Sequence, residues 1–260
     1  MIPRIIHYCW FGGNPLSPLA ERCIDSWHKY CPDYELKLWN EDNFDVSIYR
    51  YSHEAYTSKK WAFVSDVARL WALINYGGIY LDTDCELLKP IDEFLELDAV
   101  SGFETANRIP TALLGCQKGF ALFARLLDEY ACRCFIQPNG EFDTTTNVVS
   151  ITNSLIPYGL VLNNRLQTVS GFTLYPSEFF CPKNYDTGEL IITKNTYAIH
   201  HFDSSWHSEQ QRLERKKVLQ FKKYFGSTLV NAIYGTIINF RASGIRGVYK
   251  KMKEKIGEHK

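Results

Sequence analysis

No stretch of this 260-residue sequence comes near the roughly 18 apolar residues in a row that a membrane-crossing helix needs, so the chain reads as soluble or peripheral. Its first residues, "MIPRIIHYCWFGG", carry one basic side chain and an apolar run too short for a secretory leader. Among the eight cysteines, at positions 9, 23, 31, 85, 116, 132, 134 and 181, there is no Cys-x-x-Cys pair. Cys132 and Cys134 are too close for a zinc pattern, and scattered thiols in a chain of this length fit a reducing cytosol rather than a disulfide scaffold. Internal repeats and low-complexity linkers are also missing, so no domain boundary is placed before about residue 210.

Net charge is absent as well, with 29 Lys+Arg against 29 Asp+Glu. The balance hides an asymmetry. Residues 1–211 hold 16 basic and 26 acidic side chains, whereas residues 212–260 hold 13 and 3. The chain therefore divides into an acidic body, 1–210, and a basic, helical C-terminal extension, 211–260. In the extension, "LVNAIYGTIINFRASGIRGVYKKMKEKI" mixes apolar and basic residues, which suits a helix lying on an anionic membrane surface. The plainer reading is a helix packed on its own domain with a solvated basic face. A nucleic-acid partner is not expected.

What is present is a packed globular composition, 45% hydrophobic and 22% charged, with 15% aromatic residues to fill a core or stack on flat ligands. Residues 4–11 read as a buried strand ending at Gly12-Gly13. Residues 17–30 read as a helix capped by Ser17 ahead of Pro18, and "YELKLWN" as a second strand. This β-loop-α-β order predicts an α/β sandwich. Residues 57–76 form the clearest helix, with Trp61, Val64, Ala68, Trp71 and Asn75 on one stripe and Gly77-Gly78 as the stop. Ile79-Tyr80-Leu81 is a compact strand. Further strands are expected at 98–104, 109–116, 172–175 and 190–199, and helices over 119–135 and in "TTTNVVSITNSLIPYG".

Asp82 and Asp84 follow the strand at Ile79–Leu81, at the carboxyl edge where α/β sheets bind ligands. Two carboxylates one residue apart repel unless a cation neutralises them. Mn²⁺ or Mg²⁺ accepts carboxylate, water and phosphate oxygens together, so such a pair can hold a diphosphate and stabilise it as a leaving group. Asp66 and Arg69, at i and i+3 on the preceding helix, project from one face away from the tryptophan stripe. They read either as a surface ion pair or as a carboxylate for ribose and a guanidinium for phosphate. "HHFDSSW", residues 200–206, adds a histidine as a further ligand and a Ser and Trp able to close over a bound molecule.

"FVSDVARLWALINYGGIYLDTD", with "IPRIIHYCWFGG" before it and "IHHFDSSW" after it, resembles the D-x-D glycosyltransferases of the capsular-polysaccharide and α-mannosyltransferase-like family (glycosyltransferase family 32 type), relatives of the clostridial glucosylating toxins. The resemblance implies a GT-A fold, a Rossmann-like α/β sandwich with a mainly parallel central sheet. It implies that Trp10 stacks on the nucleobase, that Asp66 binds ribose or sugar hydroxyls, that Arg69 meets donor sugar or phosphate, and that Tyr80 lines the nucleotide pocket. Asp82 would contact ribose, donor sugar and metal-bound water. Asp84 and His201 would ligate the metal, with His200 or Asp203 as alternates to His201, and Ser205 and Trp206 would form a flap over the diphosphate. The implied reaction is metal-dependent, retaining transfer from a nucleotide-sugar donor, a UDP-sugar by resemblance to the bacterial enzymes. The implied acceptor is a surface polysaccharide or lipid-linked oligosaccharide at the cytoplasmic face of a bacterial inner membrane. Thr111 and Asn147 would line the acceptor cleft. Two other classes also fit a D-x-D: an aspartate-nucleophile phosphatase, against which Cys85-Glu86 after the motif argue, and a non-catalytic sugar-nucleotide or glycan binder.

Overall fold

The computed structural model describes residues 1–105 and 108–203 and, beyond them, residues 210, 213, 214, 217–220, 222 and 226. Its first strand, β1 (Ile5–Cys9), is followed by helix α1 (Pro18–Tyr30), β2 (Glu35–Trp39), α2 (Arg50–Thr57), α3 (Trp61–Tyr76) and β3 (Gly78–Leu81). Next come β4 (Cys85–Leu87), β5 (Ala99–Gly102), β6 (Leu113–Cys116), α4 (Ala121–Asp128) and α5 (Asn147–Leu155). The series ends with β7 (Gln167–Val169), β8 (Phe172–Tyr175), α6 (Ser177–Phe180) and β9 (Ala198–His200). Seven strands make one sheet in the order β2-β1-β3-β6-β5-β8-β7, while β4 and β9 form a separate antiparallel ribbon. β1, β2, β3, β5 and β8 run in one direction. β6 and β7 are reversed, so the sheet is mainly parallel but mixed.

Strand alternation puts a core on each face of this sheet. Tyr80 joins a cluster with Val64, Leu70 and Leu73 of α3 and Phe123 of α4. Its neighbours Ile79 and Leu81 join the opposite cluster with Cys23 and Trp27 of α1 and Phe180 of α6. Ser17 caps α1 as its sequence suggests, its Oγ accepting from the Ala20 amide at 3.1 Å.

The helix expected over 57–76 begins instead at Trp61, because Lys59 takes a left-handed φ of 56° and separates it from α2, which the sequence reading does not contain. At the other end the two glycines are required by both conformation and space. Gly77 and Gly78 have φ of +67° and +104°, and a Cβ on Gly78 would stand 2.7 Å from the Ile5 carbonyl oxygen. This tight exit delivers α3 directly into β3 and so fixes Asp66 and Arg69 beside the residues that follow Leu81.

The chain separates into two compact units, one of residues 1–184 and 190–206, the other of residues 185–189 and 207–260. In the second unit Lys222 Nζ lies 3.1 Å from the Asp186 carboxylate. The stretch expected as a membrane-surface helix lies wholly outside the described residues. Among the described residues no helix is long and apolar enough to cross a membrane.

Candidate active site

Asp82 leaves the carboxyl end of β3, and the chain turns at once, the Cys85 amide donating to the Asp82 carbonyl at 2.8 Å. The Asp82 Oδ1 accepts from the Tyr80 hydroxyl at 2.9 Å and from Arg69 Nη2 at 3.2 Å. Arg69 Nη1 lies 3.3 Å from Asp66 Oδ1, and its guanidinium covers the Tyr80 ring at 4.7 Å. Both Asp66 and Arg69 are 5% exposed, which removes the surface-pair reading: breaking such a pair leaves an uncompensated buried charge. Burial raises the Asp66 carboxyl to about 6, with Arg69 opposing the rise. Burial also disfavours the Arg69 charge, but Tyr80, Asp82 and Asp66 hold it above its ordinary value.

The β4–β9 ribbon brings the distant histidines to this edge through the register Cys85↔His200. Neighbouring residues of a strand face opposite ways. His201 accordingly points its Nε2 to Glu86 Oε2 at 2.7 Å, while His200 turns its Nε2 to Asp84 Oδ1 at 3.5 Å. Ligand atoms of Asp82, Asp84 and His200 all lie within 4.8 Å of one another. Of the two histidines weighed as a ligand, it is the alternate, His200, that lies beside the two aspartates, while His201 lies on Glu86. Asp203 contributes its backbone amide, which donates to Asp84 Oδ2 at 2.8 Å. The turn that aims this amide runs through Phe202, whose φ of 57° is uncommon for a bulky side chain and is held in the wall of this cluster.

Electrostatics agree with the geometry. Burial works against the Asp84 carboxylate, but His200 and the Asp203 amide outweigh it and hold Asp84 at about 2. Burial likewise disfavours the His200 charge, and Asp84 and Cys181 raise its pKa well above the ordinary imidazole value. A positive charge is thus already favoured beside the two aspartates. Two carboxylates and one imidazole form a donor set that suits a divalent first-row cation, and a metal taking the place of the imidazolium proton would meet the same anions.

Trp10 sits just past β1 on the same sheet edge, since β1 and β3 are neighbouring parallel strands in the register His7↔Tyr80. It lines a cleft of about 770 Å³ with Gly12, Asn14, Glu41, Tyr56 and Trp61. The Glu41 carboxylate holds the Gly12 amide at 2.6 Å, and the Trp10 indole donates to the Asn14 carbonyl at 2.6 Å. Ser205 and Trp206, expected as a flap, lie outside the described residues.

Asn147 is buried rather than lining a cleft. It gives its side-chain amide to the Asp66 carbonyl at 2.7 Å and its backbone amide to Asp66 Oδ2 at 3.3 Å, and it accepts from the Tyr130 hydroxyl at 2.9 Å. Thr111 is buried as well. The sequence assigns no site role to Tyr130, and it uses Glu86 only as an argument against a phosphatase. Glu86 follows the D-x-D by two places and could have been found as a partner for one histidine, whereas Tyr130 offers no sequence signal.

Comparison with known proteins adds independent findings. Residues 18–101 match the family described as "Glycosyltransferase sugar-binding region containing DXD motif". Similar proteins include "Inositol phosphoceramide mannosyltransferase 3" of Schizosaccharomyces pombe, 30% identical over 126 residues that span 45% of this chain and 34% of that protein. "Mannosyl phosphorylinositol ceramide synthase CSH1" of Saccharomyces cerevisiae is 24% identical over 140 residues, 49% of this chain and 35% of that protein. The chain thus spans about a third of the length of the curated relatives it matches. Among solved structures, "PaToxG Glycosyltransferase" is 20% identical, with a TM-score of 0.42 over 49% of this chain and 59% of that one. A glycosyltransferase involved in the glycosylation of the major capsid of PBCV-1 is 12% identical, with a TM-score of 0.45 over 84% of this chain and all of that one. Asp66, Arg69, Asp82 and Asp84 all lie inside the matched span, so the residues gathered at this sheet edge are those of the part of the chain that is similar to the DXD-containing sugar-binding region of glycosyltransferases.

Proposed function

We propose that the chain is a metal-dependent glycosyltransferase that moves a hexose from a nucleoside-diphosphate donor to a hydroxyl of a lipid-linked or surface-glycan acceptor, with retention at the anomeric carbon. The observation that carries this reading is the convergence of Asp82, Asp84 and His200 beside the buried Arg69. Asp84 and His200 would hold a divalent cation, Mn²⁺ or Mg²⁺, with Asp82 reaching it directly or through water. When bound, the ion supplies Lewis-acid stabilisation of the departing diphosphate. Arg69, fixed by Asp66 and Asp82, adds a positive charge that needs no rearrangement as negative charge develops on the leaving group. The Trp10 cleft offers an aromatic face to the base. Asp82, anchored by Tyr80, would accept from sugar hydroxyls, while the buried Asp66, anchored by Asn147, would hold Arg69 in position.

The relatives' names put mannose among the donor sugars and inositol phosphoceramide among the acceptors to test, beside the UDP-hexoses suggested by the bacterial resemblance. A cytoplasmic membrane face is the proposed place of action. A thermal-shift screen of UDP- and GDP-sugars with Mn²⁺ identifies the donor, and Asp84→Asn is expected to lower metal-dependent donor hydrolysis and transfer by roughly 100-fold. Unchanged turnover in that variant would falsify the metal role of Asp84. The phosphatase reading gains nothing from the structure, in which Arg69 and Tyr80 both occupy Oδ1 of Asp82.

A further inference from the structure

Between Asp143 and Glu178 the chain has no acidic residue, although composition would place about four in such an interval, and its one charged side chain is Arg165. The same interval carries Ile156, Tyr158, Val161, Leu162 and Leu166 on the surface, with Val161 and Leu166 showing 57% and 60% of their area. Soluble surfaces scatter such residues singly, and a run of this kind marks a contact site.

The exposure is built rather than accidental. Gln167 accepts from the Val161 amide at 3.0 Å and donates to its carbonyl at 2.8 Å, while Asn164 exchanges hydrogen bonds with Ser177 at 2.7 and 3.1 Å. These bonds fix the loop 161–167 with Val161, Leu162 and Leu166 turned to solvent, while Leu160 just before it stays in the core. Tyr158 keeps its hydroxyl on Arg125 at 2.7 Å, an apolar ring with a polar tip. A second apolar tip, Ile191-Ile192, is tied to the same short helix, because Thr193 and Asn195 both bond Glu178, the residue after Ser177. Exposed Lys194 follows it.

We propose that these two loops insert into the surface of a lipid bilayer. Leu, Ile, Val and Tyr would enter the acyl boundary while Arg165 and Lys194 meet lipid phosphates. For the first and larger loop, the absence of carboxylates from the interval 144–177 favours this occupant over a protein partner, whose contact would be rimmed by polar and charged residues of both kinds; the second tip, preceded by exposed Glu189, would enter less deeply. The position is also apt. α5 ends at the apolar loop, and its first residue, Asn147, holds Asp66, so one helix of about 13 Å connects the lipid contact to the donor site. Delivery of a lipid-linked acceptor along this path rests on the transferase reading, whereas the lipid contact itself does not.

The test uses the full chain and vesicles of phosphatidylcholine and phosphatidylglycerol at about three to one, sedimented in low salt and in about 1 M NaCl, where charges are screened within about 3 Å and the electrostatic pull of the basic tail is lost. Wild type is expected to pellet in both. Val161→Asp with Leu166→Asp should lower the high-salt partition coefficient at least tenfold, and the Ser pair at the same positions should do likewise without adding charge, both variants melting like wild type. Equal pelleting of variant and wild type, or no high-salt pelleting of wild type, overturns the proposal. So does a dimer in gel filtration that the Asp pair dissolves while vesicle binding is unchanged. Donor hydrolysis measured in parallel separates the two readings: a chain that hydrolyses donor but does not pellet refutes the lipid surface alone, and one that pellets without hydrolysis refutes the transferase alone.

Discussion

Arg69 touches Asp66, Asp82 and the Tyr80 ring at once, and no smaller cation can do the same. A lysine has one ammonium where the guanidinium has a planar fork. Arg69→Lys should therefore leave one buried carboxylate short of its partner and destabilise the fold by about 2–4 kcal/mol in urea unfolding, together with a loss of donor binding. A variant that melts with wild type and binds nucleotide sugar normally would mean that the pair is not structurally coupled. Individual residues were unevenly legible. Asp82 and Asp84 stand out because charge rarely follows a buried strand directly. The choice between His200 and His201 did not, since it depends on which face of β9 meets β4, and that register is a tertiary fact. Burial of Asp66 and Arg69 was also hidden: the tryptophan stripe suggests one covered face of α3, whereas the far side is covered as well, by the sheet and by Asn147.

At the level of elements, His7 ties three of them together. Its Nδ1 accepts from the Trp39 indole of β2 at 3.1 Å, and its Nε2 donates to the Gly77 carbonyl at the end of α3 at 2.7 Å. Trp39 can only donate, so this arrangement needs a neutral imidazole. Burial, aided by Lys37, lowers the His7 pKa from 6.5 to about 4. The unfolded chain then takes up a proton below about 6.5 that the folded chain refuses until about 4, so stability falls with acidification through that window. The contribution lost between pH 7 and pH 5 is about 2 kcal/mol. Denaturant titrations at those two pH values should show it, and His7→Gln should flatten the difference; an equally steep loss in the variant would assign it to other groups. Elements with a period were readable: β1, β2, β3, α1 and the body of α3 lie where alternation or helical spacing places them. β4, β7 and α6 have three or four residues each, too few to show a period, and the 190–199 strand shrinks to Ala198–His200 because only those residues find a partner strand.

For the whole molecule, the absence of disulfide spacing is matched by eight free thiols, six of them buried. Cys132 is exposed and Cys134 half-buried, while burial pushes Cys9 and Cys23 up to about 12. A thiol reagent at neutral pH should label about two cysteines in the folded protein and the remainder only on unfolding, because the thiolate is the reactive form. Rapid labelling of more than two would show that the sheet faces open to solvent. The α/β class and the sheet edge that carries the site follow from the order of elements, but the reversed β6 between β3 and β5 does not, since no local pattern distinguishes a parallel from an antiparallel neighbour in strands buried on both faces. The β4–β9 ribbon carries one more implication, for biosynthesis. Two of the three clustered side chains are made by residue 84 and the third only at residue 200, after the last strand of the seven-stranded sheet, so a growing chain makes that whole sheet before it can close the cluster. The two aspartates thus wait for their imidazole partner until every strand of the surrounding sheet has been made.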